Sequence, residues 1–77
     1  MWSDPNARLN VLRALFALLA AGKGRERAAE LIELGGELFD EGNLDGRQYA
    51  AISALHDALE HDAMNVRELA RACIAII

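Results

Sequence analysis

The chain has 77 residues, a formal net charge of −4, one cysteine and a hydrophobic fraction of 53%. That length suits one domain, spanning 1–77, with a core of marginal size; the apolar content argues against a disordered chain, and the lone Cys73 allows no internal disulfide, in keeping with a reducing setting, cytoplasmic or nuclear. The uncharged run through the first apolar stretch, Ala14 to Gly22, is far below the ~18 residues a membrane span requires, and Met1-Trp2-Ser3-Asp4 is not the start of a basic-then-apolar leader.

The charge is unevenly placed. Residues 1–27 hold Arg8, Arg13, Lys23, Arg25 and Arg27 against Asp4 and Glu26, whereas residues 28–62 hold nine acids against Arg47 alone. So acidic a middle argues against nucleic acid as the main ligand and for a basic protein surface as the partner.

Asp4 followed by Pro5 is a helix start, because the carboxylate can cap free N–H groups and proline suits the first helical position. Helix 1 is expected from Pro5 to about Ala21, stopped by Gly22-Lys23-Gly24. At about 100° per residue, Leu18, Val11, Leu15, Leu19, Leu12, Phe16 and Leu9 fill one arc of roughly 180°, wider than the ~100° stripe of a helix lying on a single core. Helix 1 should therefore be central and covered from two sides, unless part of the arc, Leu18 included, is a homodimer or partner surface. Asn10, Arg13, Ala14, Ala17 and Ala20 share the other half, where the alanines would admit a second backbone. Trp2 is expected to fold back as a staple or to anchor a partner.

Helix 2 is expected from Arg25 to Asp40 with a clean division. Leu31, Leu34, Leu38, Phe39, Ile32, Ala28 and Ala29 lie on one side with Gly35 and Gly36 among them; Glu26, Glu30, Glu33, Glu37, Asp40 and Glu41 form a stripe about 100° wide on the other. Each internal glycine costs roughly 1 kcal/mol relative to alanine, to be offset by close packing on the Ala14/Ala17 side of helix 1; a break in helix 2 at this pair is the rival. The acids include like-charge neighbours at i,i+3 and i,i+4, each destabilising by a few tenths of a kcal/mol. Either solubility or a docking face for a basic partner compensates.

Glu41-Gly-Asn-Leu-Asp45 reads as a turn, with Gly42 ending helix 2. Asp45 and Gln48 have the spacing of a capping box opening helix 3, whose core face is Ile52, Leu55 and Leu59 with Ala51 and Ala58, opposite Tyr49, Ser53, His56, Asp57 and Glu60. Asn65 and Glu68 repeat the capping-box spacing, so helix 4 should start near Val66 and turn Val66, Leu69, Ala70, Cys73, Ile76 and Ile77 inward, with Ile74 at the edge. So apolar a C-terminal stretch must be buried internally, covered by a partner, or cut from a longer chain.

Three constellations imitate chemistry. Glu41-x-Asn43-x-Asp45-Gly46 matches the first half of a calcium loop, but Ile52 or Ala51 stands where the bidentate carboxylate is needed. His56 and His61 are five apart, about 140° round a helix, and cannot easily share an ion; His56 with Glu60 and Asp57 with His61 are instead i,i+4 pairs on a solvated face. Ser53, His56 and Asp57 have the residue types of a hydrolase triad, yet His56 and Asp57 are adjacent and no glycine-bearing elbow presents the serine. No metal or cofactor is expected.

From Leu9 to Ile77 the layout of helix 1, a Gly-Lys turn and helices ending in paired aliphatics resembles the C-terminal helical domain shared by the steroid receptor RNA activator protein and the outer-coat scaffold of secretory vesicles. It does so through no specific motif. That resemblance implies a non-enzymatic scaffold or adaptor domain. The residues themselves point to an all-α, compact antiparallel bundle of about four short helices acting as a non-catalytic interaction module. Its contact candidates are Glu26, Glu30, Glu33, Glu37, Asp40 and Glu41 for a basic protein, and Leu18, Ile74, Ile76 and Ile77 for self-association. The alternative is a small acidic inhibitor of the immunity-protein, antitoxin or phage-encoded kind, blocking a basic site on an enzyme or nucleic-acid-binding protein. Neither membrane nor nucleic acid is expected as a partner.

Overall fold

The computed structural model describes residues 4–77, so the expectation for Trp2 lies outside the described residues. Four helices follow one another, α1 (Pro5–Ala20), α2 (Arg25–Asp40), α3 (Gly46–Glu60) and α4 (Val66–Ile76). Asp4 caps α1 by accepting from the Asn6 amide at 3.0 Å, with Pro5 in the first turn. Asp45 and Gln48 form both halves of the expected capping box. At α4 the expected box is not made: Asn65 has a near-helical ψ of 16° and its side chain caps nothing, because an N-cap side chain reaches the N3 amide from an extended residue.

All three connections leave their helix in the same way. In the first, Gly22 takes φ 80°, the Lys23 amide donates to the Leu18 carbonyl and the Gly22 amide to Leu19. Gly42 (φ 79°) repeats the pattern with Asn43 to Leu38 and Gly42 to Phe39, and Asp62 (φ 51°) repeats it with Ala63 to Ala58 and Asp62 to Leu59. This paired bonding uses up last-turn carbonyls and needs a left-handed residue, which glycine supplies freely and aspartate tolerates.

Such short turns make consecutive helices antiparallel. The ring is closed by α4 returning beside α1, where Arg13 donates to the Ile77 carbonyl at 2.7 Å. α1 contacts α2 and α4, α3 contacts α2 and α4, and neither diagonal pair approaches. α1 is thus covered from two sides as expected, but so is every helix of the ring, and α1 is not central in position; it supplies four large core side chains, Leu12, Leu15, Phe16 and Leu19, all sealed from solvent. Ala28, Ile32, Leu38, Ile52, Leu55, Ala58, Val66, Ala70 and Cys73 complete the core from the other helices, and Leu44 plugs it from the α2–α3 turn.

Two expectations about close packing are corrected. Ala14 and Ala17 are exposed and receive no helix, because α2 and α4 flank the leucine edges of α1 instead. Helix α2 is continuous through its glycine pair, and Gly35 faces α3: a Cβ there would stand 2.9 Å from Ile52 Cγ2 and 3.1 Å from Cδ1, whereas nothing lies within 4 Å of the Cβ position on Gly36. The two glycines therefore carry opposite expectations. Gly35→Ala should lower stability by forcing Ile52 aside, and Gly36→Ala should raise it by about 0.5–1 kcal/mol through helix propensity. Urea midpoints of the two variants check both signs.

Cys73 is free and sealed in the core, its Sγ 3.4 Å from the Ala51 carbonyl. Burial disfavours the thiolate and pushes the thiol from an ordinary value of 9.0 up to about 11. Between those values the unfolded chain gives up its proton first, so stability should fall as pH rises from about 9 towards about 11. Denaturant midpoints across that range should slope more steeply for the wild type than for Cys73→Ala.

Candidate functional site

The acidic stripe of α2 divides into two groups. Arg8 stands four residues before Leu12 and seven before Leu15, within the apolar row of α1, and its side chain is only 5% exposed. A buried guanidinium needs counter-charge. It finds Glu41, with Nη2 donating to Oε1 at 2.5 Å, and Glu37, with Nη1 3.5 Å from Oε2, while among the described residues its Nε has no partner. The pairing places a cation beside the C-terminal turn of α2, which has no basic residue of its own and where the helix dipole favours one. Glu37 and Glu41 are therefore structural. The wheel that placed the leucines also places Arg8 in the middle of their arc, and that was the signal available for it.

Glu26, Glu30, Glu33 and Asp40 remain exposed. Among them only Glu30 has a described ion pair, with Arg27 at 3.7 Å between two largely exposed side chains, worth little in water. Arg25 does not answer the stripe either, since it donates to Asp62 at 2.7 Å and ties the α1–α2 turn to the α3–α4 turn.

Glu33 borders a groove of about 340 Å³ between α2 and α3. The floor is Ile32, Gly36 and Ile52; the α3 wall is Tyr49, Ser53, His56 and Asp57. Tyr49 stacks on Phe39 with ring centroids 4.5 Å apart and planes 21° from parallel, closing one end. Ser53, His56 and Asp57 thus share one surface, but His56 Nδ1 lies 2.9 Å from Glu60 Oε1 and among the described residues no hydrogen bond joins Ser53 to His56. The His56–Glu60 pair forms as its spacing suggested. The Asp57–His61 pair does not: His61 Nδ1 lies 3.0 Å from the Asp57 backbone carbonyl. Ligand atoms of His56, Asp57 and Glu60 lie within 4.8 Å of one another, all three drawn from a single helix. Gly42-Asn43-Leu44 is an ordinary interhelical turn with Leu44 buried.

The apolar candidates separate as well. Leu18 is 46% exposed and Ile74 43%, on α1 and α4. Ile76 and Ile77 are half-buried, with Ile77 packed on the core and their carbonyls accepting from Gln48 at 3.2 Å and Arg13 at 2.7 Å. Of the three readings of the C-terminal stretch, the structure shows internal packing for Ile77. No helix among the described residues is long and apolar enough to cross a membrane.

Comparison with family models, curated proteins and solved structures finds no match to this chain.

The division of the stripe has a measurable asymmetry. Glu37→Gln/Glu41→Gln strands a buried guanidinium and should cost roughly 1–3 kcal/mol. Arg8→Met leaves two solvated carboxylates and an apolar side chain in an apolar row, and should be neutral or stabilising. Thermal midpoints of the two variants against the wild type check the order.

Proposed function

We propose that this chain is a non-catalytic protein interaction module that docks a basic partner through the acidic face of α2. The observation that carries the reading is the set Glu26, Glu30, Glu33 and Asp40, exposed on one helix beside the structural Glu37 and Glu41. Glu26 suits the first turn of α2, but the fold gains little from the other three: Glu30 and Glu33 are like-charge neighbours on the helix, and among the described residues only Glu30 of the four has an ion pair, itself exposed. A basic surface would turn that repulsion into attraction, supplying association rate and orientation. Either specialisation, a scaffold or an inhibitor that covers a basic site, would use the same contact. A cytoplasmic setting accords with the free, buried Cys73.

Exposure of Leu18 and Ile74 supports a second reading, self-association. Light scattering should then give a dimer for the wild type and a monomer for Leu18→Ser/Ile74→Ser.

The test of the first reading uses a helical arginine/alanine peptide as the basic probe. Glu26→Lys/Glu30→Lys/Asp40→Lys leaves the Arg8 pairing and Glu33 untouched. Its calorimetric affinity should fall about tenfold or more below that of the wild type, about 1.4 kcal/mol, and wild-type binding should weaken as salt rises from ~50 to ~500 mM. Equal affinity for the two proteins overturns the reading.

A further inference from the structure

Gly36 is the residue the fold does not explain. Its neighbour Gly35 is required by Ile52, but the space a Cβ on Gly36 would occupy is empty to 4 Å, so alanine would fit and would stabilise α2. Glycine at such a position serves where another molecule comes close to the backbone. The opening lies on the floor of the α2–α3 groove, and what surrounds it is chemically consistent.

Ile32 and Ile52 are buried at 4% and 2% exposure and bring an apolar strip to the groove. Glu33 from α2 and Asp57 from α3 put an exposed carboxylate on either helix. Tyr49, held by its stack on Phe39, adds an aromatic surface. No arginine or lysine lines the groove, and its one basic group, His56, is engaged by Glu60. An apolar floor with acids on both sides suits a long aliphatic stem carrying a cation. A planar guanidinium suits it better than an ammonium, since it pairs with carboxylates through its fork and also lies against aromatic faces. The volume of about 340 Å³ is at the small end of ligand pockets, in keeping with one side chain rather than a whole helix.

We propose that the α2–α3 groove over Gly36 is the seat of an arginine side chain presented by a basic protein partner, an inference that rests on the acidic-face reading and gives it a specific anchor. The stripe then steers the partner, and the groove fixes its register through one inserted residue. Glu33 belongs to both, which joins them into one surface.

The test uses the same arginine/alanine peptide and a twin with every arginine replaced by lysine. In the wild type, amide resonances of Gly36, Ser53 and Asp57 should shift on titration, and the lysine twin should bind several-fold more weakly. Gly36→Leu fills the opening at a site where the fold has room, and should weaken the arginine peptide about tenfold with unchanged circular dichroism. Glu33→Gln/Asp57→Asn, which keeps the shape of both side chains, should do the same and stands in should Gly36→Leu disturb the helix. Wild-type affinity in Glu33→Gln/Asp57→Asn and in a folded Gly36→Leu overturns the groove, as does equal binding of the two peptides. If Glu26→Lys/Glu30→Lys/Asp40→Lys still loses affinity in that case, the acidic-face reading survives and only the anchor falls. If the wild type binds neither peptide, both fall.

Discussion

The approach of α2 to α3 at Gly35 is the contact on which the α2–α3 groove depends. Because Gly35 has no side chain, Ile52 can seat itself against the α2 backbone, and two helices that would otherwise be held apart by an intervening side chain come close. Phe39 and Tyr49 then meet as a stack, and Ile32 and Ile52 share the bottom of one groove. About 100° round the helix, Gly36 looks out at that groove rather than into the core. The glycine pair thus does two jobs at adjacent positions, closing a helix interface and leaving an opening beside it.

A second constraint comes from Arg8. A guanidinium within the apolar row of a helix must be matched or excluded, and here it is matched by two glutamates near the end of the neighbouring helix. This pins the start of α1 to the end of α2 and gives Glu37 and Glu41 a structural use. It also decides what charge is left over. The acids that Arg8 leaves over are Glu26, Glu30, Glu33 and Asp40, with Glu33 bordering the α2–α3 groove. Charge that looks uniform along the sequence is therefore two populations, all of it exposed, of which Glu37 and Glu41 are paired with Arg8 and the other four acids are not.

Much of the fold was legible in the residues. Asp4-Pro5, Gly22, Gly42 and the Asp45/Gln48 box placed four helix starts or stops, because capping is a local matter of one side chain and the nearest amides. The buried leucines of α1 followed from the 3.6-residue period. The candidate site was legible only as a stripe. Nothing along the chain joins Glu33 to Asp57, or Arg8 to Glu41, and the Asn65/Glu68 spacing matched a capping box that the backbone at Asn65 does not form. Leu44, in a turn, gave no periodic signal for its burial.

By itself the sequence determined the helices, their ends, the apolar rows and the acidic middle, since each depends on residues within a turn or two of one another. Only the tertiary structure decided which helices are neighbours, that Gly35 rather than an alanine pair is the close contact, that Arg8 consumes two of the six acids, and that Ser53, Asp57 and Glu33 share a groove. Those facts depend on how four short helices close into a ring. A helical period gives the face of each rod but not the partner that the face will meet.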